Sequence, residues 1–281
     1  MDEFDIYLES TGSMDTYHTN TMACFRNVLA EPLYLEGDWR VAIAEIIYPS
    51  SIKNVTTKDY FIYTPRTPYQ LGVLEQEDWS NNAIFPDGEY KRIADIVEHL
   101  NSVSIEIASE SNRQKPIIQS NSDGEVVEFT FREGYGISVR DRTIFDVLGF
   151  KGIPDPNRGG YFIGSHRQVV SQLQPMKADY PPDITAGTNI FFVYCDIIEH
   201  QHIAGVKAPV LRVIDTRRRL KNGELQITST TEHVSFRELQ FKKLVLGSIK
   251  EIFIELVSAS GSYIPFVGTG RVALTLKFRK F

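Results

Sequence analysis

Apolar residues fall at every second position near both ends of this chain, and that alternation is the strongest limit on what it can fold into. In a β-strand successive side chains point to opposite faces, so a period of two marks a strand with one face buried. Ile252, Ile254 and Leu256 alternate with Glu251 and Glu255, and Val272, Leu274, Leu276 and Phe278 alternate with Ala273, Thr275, Lys277 and Arg279. The opening of the chain does the same over Phe4–Leu8, Met22–Leu29 and Trp39–Tyr48. In the last of these, Trp39, Val41, Ile43 and Ile47 share one expected face, with Glu45 interrupting them. Ile190–Glu199 is almost continuously apolar, as expected for a central strand. Pro209–Ile214, His233–Phe236 and Phe241–Leu246 are shorter candidates.

Between these groups the character changes. Residues 64–187 are rich in Pro, Gly, Asn and Asp. Ile93, Ile96, Val97, Leu100 and Val103 recur there at the spacing of one buried helical stripe. A strand pair is expected over Pro116–Gln119 and Val126–Arg132, joined at Asn121-Ser122-Asp123-Gly124, with a short strand at Gly136–Val139. A second helix is expected from Arg142 to Leu148, capped by Asp141 and ended by Gly149, with Phe150 folding back. Residues 151–187 read as an extended loop, with Pro154, Pro156, Gly159-Gly160, Pro175 and Pro181-Pro182. Three strands before the interruption and five or six after it total about eight. That number suits a mainly β chain, a single jelly-roll β-sandwich with a large inserted segment containing one or two helices. The expected division is a core of residues 1–60 and 188–281 and an α+β, loop-rich insertion of residues 61–187.

With 281 residues and 42% hydrophobic content the chain can bury a large core, and its 23% charged content argues against disorder. Its longest strongly apolar stretch, Ile190–Ile198, is too short to span a membrane and contains Asp196. The opening Met1-Asp2-Glu3-Phe4-Asp5 has the wrong charge for a signal peptide, so no secretion by that route is expected. The sequon Asn54-Val55-Thr56 is accordingly expected to carry no glycan, and Cys24 and Cys195 to be reduced, buried, apolar residues. Residues 1–140 hold 11 Lys/Arg against 23 Asp/Glu, and residues 141–281 hold 19 against 13. Either strands from both halves mix in one sheet, the preferred reading, or the surface is polarised with an acidic and a basic flank.

No candidate catalytic, cofactor-binding or metal-binding set survives inspection. His200 and His202 would share one face of a strand, the first half of a metal site, but no third ligand completes it and a turn explains them better. Gly268-Thr269-Gly270-Arg271 imitates a dinucleotide fingerprint in letters only, because a strand follows where a helix is required. No nucleophile elbow, phosphate-binding loop or His-Glu-x-x-His is present. Asp141 with Asp146, or Glu75, Glu77 and Asp78, are places to look for paired carboxylates, although loop and cap positions explain them. Arg217-Arg218-Arg219-Leu220-Lys221 could hold phosphates; Asn222-Gly223 after it favours a solvated hairpin tip, so nucleic-acid contact is possible but not predicted.

Several segments occur in a familiar order. Pro32-Leu33-Tyr34-Leu35-Glu36-Gly37-Asp38-Trp39-Arg40-Val41-Ala42-Ile43-Ala44-Glu45-Ile46 with Tyr48-Pro49, then Val193–Glu199 followed by Val206–Arg212, and the close from Ile252 to Arg279 resemble the minor capsid (penton) proteins of Polinton/Maverick elements and adintoviruses. The resemblance covers residues 1–55 and 189–281, with Gly88-Glu89-Tyr90, Leu100-Asn101 and Leu148-Gly149-Phe150 between them. It implies a jelly-roll vertex protein of the virion, a homopentamer beside a major capsid protein of double jelly-roll type, assembled inside the host cell. It implies no enzymatic activity and no cofactor. The alternative is a β-sandwich that binds or processes glycans, with Trp79, Tyr90, Tyr161 and Tyr180 as stacking residues.

Overall fold

The structure is a computed structural model. It describes residues 3–56, 60–63, 88–110, 118–122, 126–131, 136–139, 143–151, 153–154, 161–164, 176–203, 205–216, 219–221, 224–227, 229–245 and 247–281. In chain order its first strands are β1 (Glu3–Glu9), β2 (Cys24–Tyr34), β3 (Trp39–Pro49) and β4 (Tyr60–Tyr63). Helix α1 (Ile93–Glu110), strands β5 (Ile118–Ser122), β6 (Val127–Phe131) and β7 (Gly136–Val139), and helix α2 (Thr143–Leu148) come next. Then come β8 (Ile153–Pro154), β9 (Tyr161–Gly164), β10 (Met176–Lys177), β11 (Ile190–Cys195), β12 (Gln201–Ile203) and β13 (Val206–Ala208). The last are β14 (Val210–Asp215), β15 (Arg219–Lys221), β16 (Glu224–Gln226), β17 (Thr231–Ser235), β18 (Lys242–Lys243), β19 (Ser248–Val257) and β20 (Ala273–Lys280).

The chain forms two compact units. The first comprises Met1–Ile52, Gly187–Arg218 and Ile227–Phe281, and the second Lys53–Ala186 and Arg219–Gln226. In the first unit, one sheet runs β1-β20-β3-β17, with β18 also on β3, and the other runs β14-β11-β19-β2. The antiparallel pairs are nested: β1 with β20, β2 with β19, β3 with β17 and β11 with β14. That nesting is one long hairpin of four strand pairs. Rolled up, it adds the pairings β20 with β3 and β11 with β19, which produces the two sheets of a jelly roll.

The two sheets bury one core between them. Val41, Ile43, Ile46, Leu274, Leu276 and Phe278 come from one sheet and Phe25, Phe191, Val193, Ile252, Ile254 and Leu256 from the other. Tyr48 meets Phe191 edge to face across the gap, ring centroids 5.2 Å apart. The expected inward faces of β19 and β20 are the observed ones. On β3 the face changes midway. Thr275 pairs with Glu45 while Leu276 pairs with Ile43, so Ala44 is an extra residue and the strand bulges. Beyond that bulge Ile46 and Tyr48 point into the core, and Ile47, expected to share a face with Ile43, points outward, half-buried. Strand β2 likewise runs on through Pro32, beyond the expected Met22–Leu29. It is an edge strand, so the missing N–H costs no ladder bond, and residues 29–32 bulge opposite Lys250.

The second unit holds its own core, in which Ile96, Val97 and Leu100 of α1 join Val127, Phe129, Phe145, Leu148 and Phe150. Asp95 accepts the Arg92 N–H at 3.2 Å, one half of a capping box at the start of α1. Residues 151–187, read from sequence as loop, contain three short strands, β8, β9 and β10, which join sheets ordered β4-β7-β9-β8 and β10-β6-β5. Asn54 is fully buried in this unit. Its side-chain amide donates to the carbonyls of Tyr90 (2.9 Å) and Ile184 (3.0 Å), and its oxygen accepts the Tyr90 N–H (2.9 Å). The sequon asparagine is thus a structural hub whose amide nitrogen is fully engaged.

Candidate interaction surface

The two sheets present different outer faces. On the first, β1 and β20 bring the acidic start and the basic end of the sequence side by side. Arg279 lies 2.9 Å from Glu3, Lys277 3.7 Å from Glu3 and 3.3 Å from Asp5, and Arg271 2.7 Å from Glu9. In this sheet the two halves of the chain therefore neutralise each other strand by strand, as the mixed-sheet reading expected. The Arg271 hydrogen bond, with that of Thr11, holds the Glu9 carboxyl below its ordinary value of 4.5, and Arg279 does the same for Glu3. A depressed folded-state pKa contributes stability that is present above the ordinary value and lost as pH falls through the folded one. A stability profile should accordingly decline below about pH 4.5, and Glu9→Gln should flatten it slightly, by the small amount typical of surface pairs. A Glu9→Gln profile that parallels the parent one would contradict this.

On the second sheet the outer face is apolar near the start of β11. The inward residues of β11 are Phe191, Val193 and Cys195, which leaves Ile190, Phe192 and Tyr194 facing out. Phe192 pairs with Val213 on one side and Val257 on the other. Ile190 is 37% exposed, Val213 45% and Tyr263 51%, so this stripe meets solvent. A sheet with one solvated face ordinarily carries polar residues there, and a clustered apolar stripe marks a surface built to be covered. Tyr263 donates to Glu255 at 2.7 Å, and hydrogen bonds with Cys24 and Glu255 raise its pKa above the ordinary value. Further along the same face, Arg26 lies over Phe253 (4.8 Å to the ring centroid) and Tyr17 (5.5 Å) and pairs with Glu251 at 2.9 Å. Tyr17 donates to the same carboxylate.

Side chains close one edge of this sheet. Asn20 bonds both the N–H and the C=O of Arg26 at 3.0 Å, as a strand residue would, and Ser13 accepts the Val28 N–H at 2.9 Å. The loop carrying them thereby covers the edge of β2. Sealing an edge in this way blocks uncontrolled strand pairing.

The residues singled out from sequence are placed as follows. His200 and His202 are exposed beside the short β12–β13 hairpin, and no group of three metal-ligating residues occurs among the described residues. Gly268 has φ 89° and precedes β20, a turn as expected. Cys195 is buried and its thiol is pushed up to about 12 by desolvation, but Cys24, expected to be buried, is only half-buried because it begins an edge strand. Asp146 is exposed on α2. Asp141, Glu75, Glu77, Asp78 and Trp79 lie outside the described residues, as do Arg217, Arg218, Asn222 and Gly223; β15 and β16, on either side of the last two, pair antiparallel. Of the proposed stacking residues Tyr180 is exposed and Tyr90 half-buried at the Asn54 hub, while the Tyr161 side chain lies outside the described residues. No helix among the described residues is long and apolar enough to cross a membrane.

No protein-family model matches the chain, and no curated protein sequence matches it. Among solved structures it is similar to the mavirus penton protein seen in a crystal structure, at 12% identity and a TM-score of 0.45, over 99% of this chain and 100% of that one. It is similar also to a chain in the cryo-EM structure of the Sputnik virophage, at 11% identity and a TM-score of 0.45, over 100% of this chain and 98% of that one. The jelly roll described above stands on its strand pairing, independently of these likenesses.

Proposed function

We propose that the chain is a structural subunit of an icosahedral viral shell, a penton that forms a ring of five at the vertices and carries no enzymatic activity. The sequence segments resembling Polinton/Maverick and adintovirus pentons supply the number five and the second partner, a major capsid protein of double jelly-roll type. The observation that carries the reading is the outward apolar stripe of Ile190, Phe192, Tyr194 and Val213, on a sheet whose β2 edge is closed by side chains of the same chain. A shell subunit needs broad faces that fit neighbouring copies, and a closed ring needs two different patches that mate head to tail. The stripe is one such patch. Residues 61–187 are the insertion of this shell protein in the same reading.

The test is particle assembly with the proposed major capsid partner. Density for this chain should appear at fivefold vertices, and density confined to threefold or quasi-sixfold positions would sink the assignment. Phe192→Asp should leave the purified chain folded by circular dichroism yet exclude it from particles, because a buried unpaired carboxylate at the contact is strongly unfavourable. Incorporation at the parent level would remove the stripe from the contact.

A further inference from the structure

Strand β1 is an edge of its sheet, and only one end of it is covered. The Ser10 N–H donates to the Val272 carbonyl at 2.8 Å, so even-numbered residues of β1 turn their backbone groups toward β20. Odd-numbered residues turn theirs away. At Glu9 the side chain of Asn27 takes those outward groups, accepting the N–H at 2.9 Å and donating to the carbonyl at 3.0 Å. Asn27 therefore stands where an added strand would begin. No comparable partner meets the outward N–H and C=O of Asp5 and Tyr7 among the described residues.

The side chains along this edge define what it would accept. On the inner face Phe4 and Ile6 are only partly buried against the core, and so are Leu29 and Leu33 of β2. On the outer face stand Glu3 and Asp5, about half exposed, together with Tyr7, 60% exposed. The cations that pair with these carboxylates all lie on β20, on the closed side. We propose that the free edge of β1 takes an extended segment of another protein as a further strand, one whose apolar residues cover Phe4 and Ile6 and alternate with basic residues facing Glu3 and Asp5. Strand addition of this kind draws affinity from main-chain hydrogen bonds and selectivity from alternate side chains. Cross-strand Lys or Arg opposite a carboxylate supplies the charge preference.

A labelled synthetic peptide with the sequence of residues 273–281 serves as the probe, because it alternates apolar and basic side chains over Leu276-Lys277-Phe278-Arg279. It should bind the full chain, and exchange of the Asp5 and Tyr7 amide hydrogens should slow on binding. A peptide with glutamate at the positions of Lys277, Arg279 and Lys280 should bind about tenfold more weakly, with the difference shrinking at high salt. Asp5→Pro removes one outward N–H that β20 does not use, so the protein should keep its thermal midpoint and lose about tenfold or more in peptide affinity. Asp5→Lys keeps the N–H and should reverse the preference between the two peptides. Equal binding by the Asp5→Pro protein, or absence of binding by the parent, overturns the proposal. Self-association of the parent that Asp5→Pro abolishes would make a second copy the occupant and overturn the choice of a different protein.

Discussion

Asn54→Ala should cost the chain about 3–5 kcal/mol of stability, measured by urea denaturation. Three hydrogen bonds of 2.9–3.0 Å leave with that side chain, and each joins residues far apart in sequence. Asn54 is 0% exposed, so water cannot readily replace them. A buried polar group deprived of its partner forfeits its desolvation cost, about 1–3 kcal/mol each. Asn54→Asp sharpens the test. A carboxylate keeps the acceptor for the Tyr90 N–H but turns lone pairs toward the Tyr90 and Ile184 carbonyls. Burial and that repulsion favour the protonated form, which raises the folded-state pKa. The variant's deficit should therefore grow as pH rises through the folded-state pKa and shrink in acid, opposite in sign to the Glu9 effect. A loss below about 1 kcal/mol for Asn54→Ala would show that the segments joined here hold together by packing alone.

The strands of the jelly roll were legible because each buries one face, and the period of two survives in Ile252, Ile254 and Leu256 or Leu274, Leu276 and Phe278. What the alternation could not convey is a change of phase. Glu45 interrupts the apolar series, but a lone acid in a strand looks the same whether it marks a bulge or a solvent-facing position. Only pairing against Thr275 and Leu276 decides it. The apolar run at Ile190–Ile198 identified a central strand, as observed. Such a run is ambiguous about cover on the second face, and here the outward residues Ile190 and Phe192 form part of an apolar stripe that meets solvent. The asparagines carry no local signal at all. Asn20, Asn27 and Asn54 look like turn residues, yet they bond backbone groups 6, 18, 36 and 130 residues away. Residues 151–187 hid three strands for a related reason. Those strands are two to four residues long, too short for a period to show among so many Pro and Gly.

Gly149→Ala should be the other large loss, about 3 kcal/mol or more, from two separable causes. Gly149 closes α2 with φ 82°, and the Phe150 N–H returns to the Phe145 carbonyl at 2.8 Å, the signature of a Schellman cap. That reversal carries Phe150 onto Phe129, the rings stacked with centroids 4.7 Å apart. A left-handed backbone costs an alanine about 1–2 kcal/mol. The second cause is contact. The Tyr180 N–H donates to the Gly149 carbonyl at 3.0 Å, and a Cβ on residue 149 would lie 2.1 Å from the Tyr180 oxygen. Because that oxygen is backbone, it cannot swing aside as a side chain could, and the segment through Asp183 would have to lift from α2. Gly149→Asn separates the two causes, since asparagine tolerates the left-handed conformation but carries the same Cβ. If the close approach dominates, the asparagine variant should be nearly as unstable as the alanine one. Recovery of most of the loss by asparagine would instead assign the effect to the dihedral angle and show that the Tyr180 segment can move.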